Sequence, residues 1–173
     1  MNDTDQHFHY AVARPQPYAG QLTPASQEAL ARAHGGHTET GCHFTHRLQL
    51  PDGRVINGVL DLHGTEEAYI GNVPLWGKRV LEYLPGSGGL SAFLATRADE
   101  LVVLDPAPGR FKGAAEELAA RTRHGWWFTN AALGFEAQAV YADLYAPPDD
   151  LGRFGVAILA GLFSNTQHPF LAL

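Results

Sequence analysis

The chain has 173 residues, 45% of them hydrophobic and 17% charged, and a formal net charge of −6, which suits one domain with a real core and is too short for two comfortable ones. Its twelve Lys and Arg residues are scattered, without the basic cluster that neutralises phosphates, so composition favours a small-molecule ligand over a nucleic acid. No apolar run reaches the roughly 18 residues of a membrane span, the N-terminus lacks the parts of a secretory signal, and Cys42 stands alone, which excludes an intrachain disulfide and a cysteine zinc cage; a soluble, cytoplasmic protein is the expectation.

In chain order, residues 1–42 read as an arm or lid carrying one short helix, TPASQEALARAH, with Thr23 as its cap and Pro24 at the first helical position. Residues 43–173 read as a β-hairpin followed by an α/β core. The hairpin is HFTHRLQLPDGRVINGVLDL, alternating around PDGR, where Asp52 and Gly53 supply turn chemistry. A connector rich in Gly and Pro follows, ending at GNVPLWGK.

From Lys78 the periodicity predicts a buried strand RVLEYL, a glycine turn, a helix over 88–97, a strand ELVVLD and a helix FKGAAEELAARTR with small and apolar residues on one face. A strand AQAVYADLY, a Pro-rich loop APPDDLG, a strand FGVAILAGL and the start of a short helix at HPFLAL complete the chain. Strands and helices alternating in this way predict about four parallel strands flanked by helices.

Gly86, Gly88 and Gly89 follow a buried strand and open a helix, where bare backbone can approach a ligand; a Gly-rich turn that only permits tight packing is the plainer alternative. Asp105, seventeen residues after Gly88 and at the end of the next strand, is placed to accept hydrogen bonds from a ribose diol. Glu82, just before the glycines, would repel a pyrophosphate but can reach the cationic amino-acid end of an adenosyl sulfonium, which disfavours a dinucleotide-dependent oxidoreductase.

Beyond these residues, the blocks LPDGRVINGVLDL, GKRVLEYLPGSGGLSAFLA, WWFTNAALGFEAQAVYADLY, DDLGRFGVAIL and HPFLAL resemble the class I S-adenosylmethionine-dependent methyltransferases, nearest the bacterial group around the tRNA wobble-uridine carboxymethyltransferase. The resemblance covers roughly residues 43–173. It implies a partial Rossmann-like methyltransferase fold and S-adenosylmethionine or its carboxylated form as cofactor. It also implies a cofactor loop at Glu82, Gly86 and Gly88, a ribose-binding acid at Asp105 and an acid beside the adenine at Asp143, with a turn-capping aspartate as the plainer reading of Asp143. Trp126, Trp127 and Phe128 match an aromatic patch, for which core packing is the preferred reading.

The departures matter as much. Leu84 stands where the family has the first glycine of its loop, and its side chain would crowd the ligand's amino-acid end, putting cofactor binding in doubt. Gly155 replaces an aspartate at the fourth strand, and Asn165, Gln167 and His168 stand where the family has histidine, arginine and aspartate. The chain stops just after the fourth strand, leaving an apolar edge for a homodimer or heteromeric partner to cover, unless the N-terminal forty residues fold back on it. Together these imply a C-terminally truncated methyltransferase-like protein, degenerate at the cofactor site, serving as an accessory subunit or in a repurposed small-molecule role. The alternative is an active methyltransferase on a small molecule rather than tRNA, completed by oligomerisation. No catalytic residue follows from the sequence.

The histidines add little. His43 and His46, three apart on a strand, point to opposite faces, which is poor for joint metal binding, and His46 reads as packing, surface or a substrate-facing lid. Cys42 has no orienting third group and reads as a plain cysteine. Asp149 and Asp150 read as a solvated loop.

Overall fold

The computed structural model describes residues 11–12 and 38–172. The expected helix over residues 23–34 lies outside the described residues, as does most of the arm.

Apolar runs become strands where they are buried on both faces. Strands β4 (Arg79–Tyr83), β5 (Glu100–Pro106), β6 (Gln138–Ala142) and β7 (Val156–Ile158) form a parallel four-stranded block in the order β6-β5-β4-β7. A two-residue strand β1 (Ala11–Val12) pairs antiparallel with β6 at one edge. The described part of the arm, Ala11 and Val12, therefore lies at the edge opposite β7. A separate hairpin, β2 (Leu48–Gln49) and β3 (Val55–Ile56), turns at Asp52 and Gly53. Gly53 has φ 87° and Asp52 accepts from the Arg54 amide, the local chemistry that residue pair favours.

The hairpin is much shorter than its alternating sequence predicts. Gly58 lies so close to His46 that a Cβ there would fall 2.2 Å from the His46 carbonyl carbon. The chain on either side of the turn thus continues as a crossing, with the Leu60 amide donating to the Thr45 carbonyl at 2.9 Å and the Arg47 amide to the Leu60 carbonyl at 2.7 Å. Helix α1 (Glu66–Tyr69) interrupts the connector.

Helix α2 (Gly89–Ala95) follows the glycine turn, and α3 (Ala114–Leu133) joins β5 to β6. Running ten residues past the end of its predicted stretch at Arg123, α3 continues because Trp126, Trp127 and Phe128 are needed inside. All three are buried, the two indoles meet edge to face at 4.8 Å, and the helix ends only at Gly134 with φ 67°. The aromatic patch is thus core. Two apolar clusters lie on the two sheet faces. One gathers Val80, Leu101, Val103 and Ala139 with Leu90, Leu94, Trp126 and Trp127; the other gathers Leu81, Val102, Leu104 and Val140 with Leu144, Leu151 and Leu162.

The last predicted strand, 154–162, shrinks to β7. Gly161 precedes a one-turn helix α4 (Leu162–Asn165), and Leu162 is wholly buried in the second cluster. A turn of 3₁₀ helix over Pro169–Ala172 stands where HPFLAL predicts a helix start. The architecture is α/β, a parallel sheet flanked by helices, compatible with a Rossmann-like fold. Among the described residues no helix is long and apolar enough to cross a membrane.

Candidate functional site

A cavity of about 850 Å³ opens at the C-terminal ends of β4, β5 and β6, the place where open parallel sheets bind ligands. Of the residues singled out from the sequence, Glu82, Leu84, Gly86, Asp105 and Asp143 line it. Gly88 does not; with φ 85° it turns toward α3, where a Cβ would lie 3.0 Å from Trp126 Cδ1.

Parallel register places Glu82 beside Val103, so Asp105, two residues on, shares its sheet face. Glu82 is buried, 2% exposed, and accepts a 2.6 Å hydrogen bond from Ser91 Oγ, which in turn accepts from Trp126 Nε1 at 3.0 Å. Burial pushes Glu82 up to about 7; the Ser91 bond opposes the shift and the charge of Asp105 adds to it. Asp105 is half-buried and is also raised to about 7, by burial first, with the Arg123 guanidinium opposing and Glu116 adding. Among the described residues no donor reaches the Asp105 carboxylate within hydrogen-bonding distance.

Arg123, invisible to motif reading, is 3% exposed and bonds Glu116 Oε1 through Nη2 at 2.6 Å, while Nη1 has no hydrogen-bond partner among the described residues. Glu116 also accepts from the Phe111 amide at 3.1 Å, so one carboxylate ties the loop after β5 to α3. Asp143 accepts from the Tyr145 amide at 2.9 Å and pairs with Arg110 at 3.0 Å. It is the turn-capping aspartate of the plainer reading, and it lines the cavity as well.

The glycine turn is occupied by the protein's own chain. The Ser87 amide donates to Thr45 Oγ1 at 2.9 Å, and Ser87 Oγ accepts from the Thr45 amide at the same distance. A Cβ on Gly86 would fall 2.4 Å from Thr45 Oγ1, and one on Gly89 would fall 2.6 Å from His46 Cβ. These glycines let residues 45 and 46 lie against the turn. No pattern in the sequence marks Thr45 for this position.

Leu84 holds φ 55°, a left-handed conformation that a leucine adopts only at a cost. Its amide donates to the Leu104 carbonyl at 2.9 Å, and its half-buried side chain packs on the second cluster while lining the cavity. Asn165 and Gln167 reach the cavity wall too. His168 does not; its amide donates to the Tyr145 hydroxyl at 3.3 Å.

His46 lines the cavity, with burial holding its pKa below the ordinary imidazole value, and Nδ1 lies 3.1 Å from Thr45 Oγ1. Burial lifts the Cys42 thiol to about 11, and it donates to the Thr38 carbonyl at 3.3 Å, a structural thiol and no nucleophile. Among the described residues no group of three or more His, Cys, Asp or Glu side chains is placed to hold a metal. Comparison with protein-family models, with curated proteins and with solved structures found no match.

Proposed function

We propose that the cavity binds the nucleoside half of S-adenosylmethionine, or of its carboxylated form, in a methyltransferase-like protein whose hold on the ligand's amino-acid end is altered. The observation that carries this reading is Asp105: a carboxylate at a strand end, in a cavity, on the same face as Glu82, with no hydrogen-bond donor among the described residues. A ribose diol supplies two donors of the required kind. Asp143 lines the same cavity, and on this reading it neighbours the adenine.

The amino-acid end is where this chain departs. The Ser87 amide, which such a loop would offer to a carboxylate, is already satisfied by Thr45, and Leu84 stands on the cavity wall. S-adenosylmethionine, when bound, supplies an activated methyl group; the residues described here bind and orient its nucleoside. On this reading the protein is an accessory subunit, or it uses the nucleoside site in another small-molecule role. The edge of β7 that no described strand meets then belongs to a second protein chain, a copy or another protein.

A second reading, an active methyltransferase on a small molecule, draws on the polar groups of Asn165 and Gln167 at the same wall. Calorimetric titration of the full chain with adenosine and with S-adenosylmethionine tests both. Weak binding of the two ligands with similar affinity is expected, lost in Asp105→Ala, with Leu84→Gly strengthening S-adenosylmethionine alone. Failure of adenosine to bind sinks the proposal. Micromolar S-adenosylmethionine, about −8 kcal/mol, with Leu84→Gly without effect, replaces the altered-grip reading with the active one.

A further inference from the structure

One face of α3 lines the cavity with side chains that no described residue covers. Ala115, Leu118, Ala119 and Thr122, at helical spacing, all line the cavity, and Arg123 closes the stripe at its inner end. Leu118 is 48% exposed, although it sits on the same helix that buries Trp126 and Trp127 about two turns further on. An apolar helical stripe ordinarily faces a core; among the described residues this one faces a cavity. Val59, 72% exposed, and Tyr69, 43% exposed, line the same cavity. Exposed apolar side chains gathered around one opening mark a binding surface.

The stripe is held in place. Glu116 bonds both the Phe111 amide and Arg123, fixing the loop that carries Phe111, 38% exposed, to the helix that carries Leu118. The cations nearby are engaged: Arg110 by Asp143 and Arg123 by Glu116. Each of these two cations is paired with a carboxylate, and the volume of about 850 Å³ stands near the top of the roughly 300–1,000 Å³ typical of small-ligand cavities.

We infer that the outer half of this cavity is an acceptor site for a small, uncharged, largely apolar molecule, seated against the α3 stripe with Val59 and Tyr69 on the same lining. The inference deepens the proposed function by naming the class of second ligand, but it stands on different residues. Ala115 and Ala119 supply the width for such a molecule, and Leu118 with Phe111 supplies the contact.

The test uses the full chain and the neutral fluorophore N-phenyl-1-naphthylamine. Saturable binding of one probe per chain is expected, with affinity falling at least tenfold in Leu118→Glu and in Ala115→Trp, which fills the groove. Trp76→Ala, which removes the most exposed aromatic on a patch outside this cavity, is expected to leave binding unchanged. Adenosine binding should survive Leu118→Glu, so loss of probe with retained nucleoside isolates this site from the nucleoside site. Absence of saturable probe binding, loss in Trp76→Ala but not in Leu118→Glu, or displacement of the probe by tRNA would each overturn the inference. A truncation lacking residues 1–37 that binds probe where the full chain does not would assign the groove to the protein's own arm and also overturn it.

Discussion

Leu84 shows two opposed forces at one position. Its φ of 55° costs about 1–2 kcal/mol for a residue with a Cβ, while its side chain gains contact with the cluster that holds Leu151 and Leu162. Leu84→Gly removes both and adds the flexibility of glycine to the unfolded chain. The expected change in unfolding free energy is small, within about 1 kcal/mol, whereas Leu104→Ala, at a fully buried position, costs about 2–5 kcal/mol. Urea denaturation of the two variants checks this; a loss above about 2 kcal/mol for Leu84→Gly would mean that packing, and not backbone strain, governs the residue. The sequence marked Leu84 only as a side chain that would crowd a ligand; its positive φ was not expected. Gly88 shows the reverse. Its spacing marked it for a ligand, yet only the direction of its missing Cβ, toward Trp126 and Thr129, shows what it accommodates.

At the scale of elements, the sheet and its turn were readable because fully buried parallel strands are continuous apolar runs: RVLEY and ELVVLDP fall within a residue of their expected bounds. Helix α3 was not readable to its end. Gly125 inside it interrupts helical propensity, and that glycine is there because a Cβ would lie 2.9 Å from the His43 carbonyl oxygen, a contact made 82 residues away in sequence. Packing between α3 and the segment around Thr45 overrides the local signal. The same segment covers the glycine turn, so the turn's occupancy could not be read locally either.

The pair of elements β4 and α2 also carries a pH signature. Glu82 is raised from 4.5 to about 7 in the folded protein, so between those values the native state holds a proton that the unfolded chain releases. Its contribution to stability is complete below about pH 4.5 and is lost as pH rises through about 7. Glu82→Gln keeps an acceptor for Ser91 and removes the titration. The variant is expected to gain stability relative to wild type at pH 8 and to show no such gain at pH 4, measured by urea unfolding at both values. An equal difference at the two pH values would place the Glu82 proton elsewhere.

For the whole molecule, the edges of the sheet differ. β6 is met by Ala11 and Val12, whereas β7 pairs only with β4 among the described residues. Unmet strand edges attract further strands. Multi-angle light scattering at micromolar concentration is expected to give more than one chain per particle; a monodisperse single chain would remove the case for a partner at β7. This asymmetry was only half legible. Alternating strands and helices indicate the parallel sheet, but which edge the arm reaches is decided by long-range geometry that a two-residue strand does not announce.

The order β6-β5-β4-β7 also has a temporal meaning. Residues 79–142 contain three neighbouring strands and both crossover helices, so this block can assemble as it leaves the ribosome. β4, the strand bearing Glu82, must then wait with a bare flank until residues 156–158 are synthesised. During that interval the nascent chain has its first carboxylate in place but not the wall formed by residues 160–167, and it is then most open to a chaperone or to mispairing.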